Sequence, residues 1–135
     1  MFVVDASVTL AWCFDDETTV ETEALLRRLL LEGAMAPAHW SLEVGNGLRF
    51  GERRGRLDAA KLASAESLLS DLHVDVVPVD IPAMLRAVVV ARRHDLTVYD
   101  AAYLELASNR GLALATTDRQ LIAACRKEKV RVIAA

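Results

Sequence analysis

Four acidic residues spread along the chain could form a binding site for a divalent cation: Asp5, Glu43, Asp100 and Asp118. Two carboxylates about 4 Å apart repel each other by about 4 kcal/mol at an effective dielectric constant of about 20. Such a group persists either by raising its pKa values or by binding a hard cation. Mg2+ prefers oxygen ligands and keeps several waters, so a few carboxylates and a substrate phosphate complete its shell. The cluster therefore predicts metal-assisted hydrolysis, with a metal-activated water and stabilised charge on a phosphate.

Each of these acids also has a structural interpretation that the sequence leaves open. Asp5 and Asp100 could be N-caps of the helices that follow them. Asp118 could be a first-turn acid favoured by the helix dipole, since the segment around it matches a capping box. Glu43 could be a solvated helical glutamate. Only the placement of the four acids in the fold can decide between these interpretations.

Alternating apolar runs and amphipathic segments predict the elements that position the acids. Strands are predicted at residues 2–4, 34–36, 74–79, 112–116 and 130–133. Helices are predicted at residues 7–14, 18–32, 39–54, 58–72, 81–94, 100–110 and 119–127. This alternation is typical of an α/β layered domain with a mainly parallel sheet, and we expect one domain over residues 1–135.

Two of the acids follow predicted strands. Asp5 comes directly after the first strand, and Asp118 comes two residues after the fourth. In parallel α/β sheets, ligands bind beyond the carboxyl ends of the strands. We therefore expect both carboxylates at the binding edge of the sheet.

The composition narrows the class of protein. Hydrophobic residues make up 53% of the 135 residues, well above a disordered chain, and the formal net charge is -3. That charge argues mildly against a non-specific nucleic-acid binder, although a metal cluster concentrates acid in one place.

Residues 1–5 lack the features of a signal peptide, and no apolar run approaches the ~18 residues of a membrane span. With Cys13 expected as a buried free thiol and no CxxC motif, a cytoplasmic location is predicted.

The segments around the four acids resemble the PIN-domain nucleases, and most closely the VapC-type toxins of bacterial toxin–antitoxin pairs. The matching segments follow the family's order, at residues 3–7, 43–48, 96–107 and 114–121. The resemblance implies a three-layer α/β/α sandwich with a central, mainly parallel sheet. It also implies a Mg2+- or Mn2+-dependent endoribonuclease, with Asp5, Glu43, Asp100 and Asp118 on the family's acidic positions.

The resemblance implies supporting residues and partners as well. Ser7, Asn46 and Thr116 fall on supporting polar positions, where they would orient the acids or a bound water. Helix or turn capping is the alternative role for Ser7 and Thr116. Such toxins are homodimers, and an antitoxin from a neighbouring gene blocks the acidic cleft. The expected partners are therefore RNA, a cognate antitoxin and a second copy of the chain.

One helix departs from the family's usual pattern. Gly45 and Gly47 flank Asn46, where Ala or Val is more common, and each glycine weakens the helix by about 1 kcal/mol relative to Ala. Small residues on the face of Glu43 would also allow a close approach to that face.

Arginines that follow Glu43 could hold the RNA backbone beside the metal: Arg49, Arg53, Arg54 and Arg56. Arg54 is the best candidate, because it shares the Glu43 face of the helix with Phe50. A solvated basic helix end, favoured by the helix dipole, is the alternative.

Two further groups have weaker assignments. His39, His73 and His94 show no metal-ligand spacing, so a histidine general base is not predicted. The apolar residues of segment 18–33, with Trp12 and Phe14, could form a dimer face or the domain core, and core is the default.

Other functions remain as alternatives. A PIN nuclease in RNA processing would lack an antitoxin, and expression of the chain alone would then not arrest growth. A non-catalytic binding module on the same fold is disfavoured by the four intact carboxylates. A receiver-type phosphoryl-transfer domain would require an acidic pair after the first strand and a lysine near the last. Here Asp5 stands alone, and Lys127 and Lys129 come too late.

Overall fold

Seven helices surround a five-stranded parallel sheet in the computed structural model, which describes residues 1–134. The strands are β1 (Phe2–Val4), β2 (Ala34–Pro37), β3 (Val74–Val77), β4 (Leu114–Thr116) and β5 (Val132–Ala134). The helices are α1 (Ala6–Cys13), α2 (Val20–Glu32), α3 (Trp40–Arg53), α4 (Ala59–Ser70), α5 (Ile81–His94), α6 (Val98–Arg110) and α7 (Arg119–Lys127). The predicted α/β/α sandwich is confirmed, and every pair of adjacent strands is parallel.

The strand order β3-β2-β1-β4-β5 explains the layering. The chain moves outward from β1 through β2 to β3, and then returns across the sheet to β4 and β5. Because crossover connections between parallel strands are right-handed, the reversal places α1 to α4 on one face and α5 to α7 on the other. The packing agrees: α1 contacts α2, α3 and α4, while α6 contacts α5, α7 and three central strands.

The central strand is buried on both faces, as its sequence requires. Phe2, Val3 and Val4 are completely inaccessible to solvent, and they form an unbroken apolar run without alternation. The two helices that carry site residues next to this strand are also largely buried. Six side chains of α6 are buried, and α1 likewise buries six. The candidate site residues that follow β1 or lie on α1 and α6 are therefore held by a well-packed part of the molecule.

The strand order reverses between β1 and β4, which are parallel, hydrogen-bonded neighbours. At such a switch point the connections leave on opposite faces of the sheet, and a crevice opens at the carboxyl ends of the two strands. The backbone N–H of Asp5 donates to the carbonyl of Ala115 at 3.2 Å, so the ends of both strands are held together at this crevice.

Helix α6 begins earlier than the sequence predicted. Its N-cap is Thr97, whose side chain accepts a hydrogen bond from the N–H of Asp100 at 3.1 Å. The alternative in which Asp100 is an N-cap is therefore wrong, and Asp100 lies in the first turn with its carboxylate available. The Thr97 side chain thus accepts from a backbone N–H that has no carbonyl partner in the first turn of the helix, so the Asp100 side chain is not needed as a cap.

Trp12 and Phe14 are buried, which agrees with the default assignment of these residues to the core. In segment 18–33, Leu25 and Leu29 are also buried, whereas Leu31 is 88% exposed. Cys13 is a buried free thiol, as expected. Across residues 1–134, no helix combines the length and the apolar character that crossing a bilayer requires.

Glycines in α3 differ in what surrounds them. A Cβ on Gly47 would clash with the side chain of Leu10, so the absence of a side chain at Gly47 allows α1 to pack closely against α3. A Cβ on Gly51 would lie 2.5 Å from the ring of Phe14 and 3.3 Å from Leu57. Gly45 faces open space, with no atom within 4 Å of an added Cβ.

Gly45→Ala is therefore expected to raise the free energy of unfolding by about 0.5–1 kcal/mol, because it removes backbone entropy from the unfolded chain without a clash. Gly51→Ala gains the same helix propensity but overpacks against an aromatic ring, and should lower stability by about 1–3 kcal/mol. Urea denaturation of both variants measures the difference. Equal effects of the two substitutions would contradict the packing described between α1 and α3.

Candidate active site

Four carboxylates converge at the crevice between the ends of β1 and β4. Asp5 follows β1, Asp118 follows β4, Asp100 comes from the first turn of α6, and Glu43 from the first turn of α3. Burial raises the pKa of Asp100, and the nearby negative charges of Asp118 and Glu43 raise it further. Residues far apart in the chain thus lie close enough to repel one another.

Asp5 is the most buried of the four, with 4% of its surface exposed. Its Oδ1 accepts hydrogen bonds from the Ser7 hydroxyl at 2.7 Å and from the N–H of Val8 at 3.0 Å. Its Oδ2 accepts from the Thr116 hydroxyl. Burial raises the pKa of Asp5 to about 6, although these three hydrogen bonds favour the ionised form. The N-cap interpretation of Asp5 is correct, but it accounts for only one of these bonds.

Ser7 and Thr116 connect Asp5 to the loop that carries Asp118. The hydroxyl oxygen of Thr116 accepts a hydrogen bond from the N–H of Asp118 at 3.0 Å. The hydroxyl oxygen of Ser7 accepts from the N–H of Thr117, also at 3.0 Å. Each hydroxyl therefore bridges the end of β1 and the end of β4, in addition to binding the Asp5 carboxylate.

Asp118 is itself the N-cap of α7. Its Oδ1 accepts a hydrogen bond from the N–H of Leu121 at 2.8 Å. The capping box suggested by the sequence around Asp118 is therefore wrong, because Asp118 itself is the cap and α7 begins at Arg119, as predicted. The cap fixes the orientation of the Asp118 side chain and uses only one of its two oxygens.

Glu43 is held by two aromatic neighbours. The Tyr103 hydroxyl donates to Oε1 of Glu43 at 2.9 Å, and Nε2 of His39 lies 3.0 Å from the same oxygen. Burial raises the pKa of Glu43, but the hydrogen bonds from His39 and Tyr103 outweigh it and leave the pKa below its usual value. The interpretation of Glu43 as a freely solvated glutamate is therefore wrong.

His39 and Tyr103 are site residues that the sequence analysis did not identify. The spacing of four between His39 and Glu43 was a usable signal, because such residues face each other on a helix. Tyr103 lies 60 residues from Glu43 and could be found only through Asp100, three residues earlier on the same face of α6. Nε2 of His39 also lies 3.0 Å from the carbonyl oxygen of Tyr99, which ties α3 to α6.

The remaining predicted residues lie on α3 and just beyond it. Asn46 is exposed, one turn after Glu43. Arg49 pairs with Glu52 at 3.7 Å, and Arg53 is exposed. Arg54, at the C-cap, lines a groove that also contains Ser7. Arg56 lines the same groove but is paired with Asp16 and Glu17, so Arg54 is the predicted RNA-binding arginine in this groove without an ion-pair partner among residues 1–134.

Among the four acids, only Glu43 has a basic side chain at ion-pair distance within residues 1–134, namely His39. Within residues 1–134, no Lys or Arg forms an ion pair with Asp5, Asp100 or Asp118. In the same part of the chain, no three Asp, Glu, His or Cys side chains close into a ready-made metal cage. Oxygen donors that leave most of the shell to water and phosphate suit Mg2+, which dehydrates reluctantly and uses few carboxylates. The donor atoms present are therefore of the chemical type that a hard divalent ion prefers.

The comparisons with known proteins identify the family. A family model described as "PIN domain" matches residues 2–127. Ribonuclease VapC3 of Mycobacterium tuberculosis is 35% identical over 119 residues, which cover 88% of this chain and 83% of that protein. Exonuclease VapC9 of Pyrobaculum aerophilum is 38% identical over 82 residues, covering 60% and 59% of the two chains. The chain belongs to the PIN domain family, which confirms the resemblance found in its sequence.

Solved structures share the fold. The crystal structure of PAE2754 from Pyrobaculum aerophilum superposes with a TM-score of 0.72 at 28% identity, covering 98% of this chain and 90% of that one. FitAcB from Neisseria gonorrhoeae gives a TM-score of 0.68 at 20% identity, covering 98% and 96%. Because FitAcB is only 20% identical, its similarity supports the shared fold and nothing more.

The raised pKa of Asp5 predicts a pH-dependent loss of stability. An aspartate ionises near pH 4 in the unfolded chain, whereas Asp5 in the folded protein ionises near pH 6. Between these values the folded state binds more protons, so ionisation of Asp5 lowers stability as the pH rises through this window. Asp5→Asn, which keeps the N-cap, should therefore stabilise the metal-free protein by up to about 3 kcal/mol above pH 6 and by little below pH 4.

Urea denaturation of both proteins in EDTA, from pH 4 to pH 8, measures this difference. Asp71→Asn is a suitable control, because Asp71 is an exposed acid at the end of α4, outside the acidic site. If Asp5→Asn were no more stable than the natural chain at pH 7, burial of the ionised Asp5 carboxylate would not lower the stability of the folded protein as described.

Proposed function

We propose that residues 1–135 form one PIN-type nuclease domain that cleaves RNA internally with a divalent metal ion, Mg2+ or Mn2+. The observation that carries this proposal is the convergence of Asp5, Glu43, Asp100 and Asp118 at the switch point of the sheet, where Asp5, Asp100 and Asp118 have no Lys or Arg partner in the described chain. Four neighbouring carboxylates are unfavourable until a cation joins them. The names of the relatives, a ribonuclease and an exonuclease, support nuclease chemistry.

In this proposal Asp5, Asp100 and Asp118 hold the ion, together with Glu43. Ser7 and Thr116 bind the two oxygens of Asp5, so the carboxylate is already held in one orientation before the ion binds. A bound divalent ion supplies an activated water and stabilises the negative charge that builds on the phosphate. Because the pKa values of Asp5 and Asp100 are raised, ion binding is coupled to proton release and weakens toward acidic pH.

Glu43 has a distinct role in this proposal. The hydrogen bonds from His39 and Tyr103 keep its carboxylate ionised and aimed into the crevice from α3, opposite the strand ends. Both partners contact the same oxygen, Oε1, which leaves Oε2 to orient a water or the substrate. Tyr103 is 1% exposed, so this orientation is fixed by the core of the domain.

We further propose that the protein is the toxin of a cytoplasmic toxin–antitoxin pair, with RNA as substrate. The similarity to VapC proteins supports this role. The acidic crevice opens at the edge of the sheet, where a cognate antitoxin that covered it would exclude RNA. A nuclease that processes RNA without an antitoxin is the alternative on the same site.

A homodimer is part of this proposal. Ile81, Leu85 and Val89 recur every four residues on α5 and are all exposed, at 70%, 55% and 52%. An apolar row at helical spacing marks a protein contact more readily than scattered apolar residues do. This face of α5, and not the buried Trp12 and Phe14, is therefore the proposed dimer contact.

Asp5→Asn and Asp100→Asn are expected to reduce Mg2+-dependent cleavage of purified total RNA by about 100-fold or more, because each removes a charge that acts on the transition state. Ser7→Ala should lose about 10- to 100-fold, as expected for a residue that only orients an acid. Mapping the cut ends with Mg2+ and with EDTA measures both effects. Asp71→Asn, at an exposed acid outside the site, is the matched control.

Full activity of Asp5→Asn or Asp100→Asn, with a native circular dichroism spectrum, would defeat the metal assignment. The same variants test the role of the protein in the cell. Induction of the natural chain alone should arrest growth, and Asp100→Asn should not. Active enzyme in vitro without growth arrest would favour the RNA-processing alternative.

A further inference from the structure

A groove of about 430 Å³ leads away from the acidic site between α1 and α3. Ser7 and Thr117 line the end next to the carboxylates, and Phe50 and Arg54 line the other end. None of the four site carboxylates lines the groove, but Ser7, which does, donates a hydrogen bond to Asp5, so the groove begins next to the acidic site. A polymer whose phosphate lay at the carboxylates would extend into this groove.

Phe50 presents an aromatic ring to this groove. The residue is 50% exposed, although an aromatic ring gains free energy by burial. It lies seven residues after Glu43 on α3, about two helical turns or about 10 Å along the axis. The exposed ring is therefore placed beside the path of the substrate, a short distance from the acids, and not at the point of cleavage.

Arg54 supplies a positive charge at the same end of the groove. Its guanidinium carbon lies 6.0 Å from the centroid of the Phe50 ring. Within residues 1–134, no carboxylate forms an ion pair with Arg54, whereas Arg56 is paired with Asp16 and with Glu17. Of the two arginines that line the groove, Arg54 is thus the one whose charge is available to an anion.

We infer that this groove binds single-stranded RNA next to the cleavage site, with one base stacked on Phe50 and an adjacent phosphate paired with Arg54. The inference rests on the proposed nuclease function and deepens it. An exposed aromatic face with a neighbouring arginine is the combination that binds unpaired nucleotides, because every base has a π-face. In duplex RNA the bases stack on each other, so their faces are not available to Phe50.

The first test measures binding without cleavage. Fluorescence anisotropy of a labelled ten-nucleotide single-stranded RNA is recorded with the full chain in EDTA at low salt. Phe50→Leu, which keeps apolar bulk but loses the aromatic face, should weaken binding by about tenfold. Leu31→Ala, at an exposed apolar residue on α2, is the control and should bind as the natural chain does. Arg54→Gln should weaken binding and reduce the slope of log K against log salt by about 0.7.

The second test reports stacking directly. Phe50→Trp keeps an aromatic face, so it should bind RNA at least as well as the natural chain, and its added fluorescence should be quenched by RNA. Trp12 and Trp40 are buried and give a constant background. Leu31→Trp places the same fluorophore on α2 and should show no quenching.

Unchanged binding by Phe50→Leu, or equal quenching at positions 50 and 31, would overturn the inference. Normal RNA binding by Phe50→Leu together with weaker binding of a co-expressed protein partner would also overturn it, in favour of a protein contact. Because binding is measured in EDTA, loss of the groove and loss of nuclease function are separate outcomes. RNA that binds through Phe50 but is never cleaved with Mg2+ would defeat only the proposed function.

Discussion

The site depends on one buried carboxylate, that of Asp5. Its two oxygens accept hydrogen bonds from Ser7, Val8 and Thr116, and these bonds connect the ends of two central strands to the start of α1. The same hydroxyls bind the N–H groups of Thr117 and Asp118, so the loop after β4 takes its shape from Asp5. Where the strand order reverses, the backbone opens a crevice, and this network converts the crevice into a site with fixed oxygen positions.

This arrangement opposes stability. Burial raises the pKa of Asp5 to about 6, and neighbouring acids add to burial in raising the pKa of Asp100. The hydrogen bonds to Asp5 and Glu43 favour the ionised carboxylates, but in the described chain no protein cation neutralises Asp5, Asp100 or Asp118. The surrounding core holds the acids together, since β1 is inaccessible to solvent and α6 buries six side chains. In the proposed function, a bound divalent ion relieves this repulsion.

Much of the fold could be predicted from sequence, because its strands are short apolar runs and its helices have clear stops such as Gly33 and Gly111. The positions of Asp5 and Asp118 followed from the rule that ligands bind at strand ends. Sequence could not show that Thr97, and not Asp100, caps α6, since both residue types are good caps. Nor could it show the contact between Tyr103 and Glu43, which depends on how α3 and α6 meet across the sheet edge. Long-range contacts of this kind leave no local pattern.

The claim that the four acids form one cation site is tested most directly by anomalous scattering from crystals soaked in Mn2+. We expect a single strong peak, or two close together, bounded by the carboxylates of Asp5, Asp100 and Asp118 and absent from crystals of Asp5→Asn. The side of this cation site that would face the substrate phosphate should be open toward the groove lined by Phe50. A saturated Mn2+ site elsewhere, with nothing bound between these carboxylates, would contradict the account.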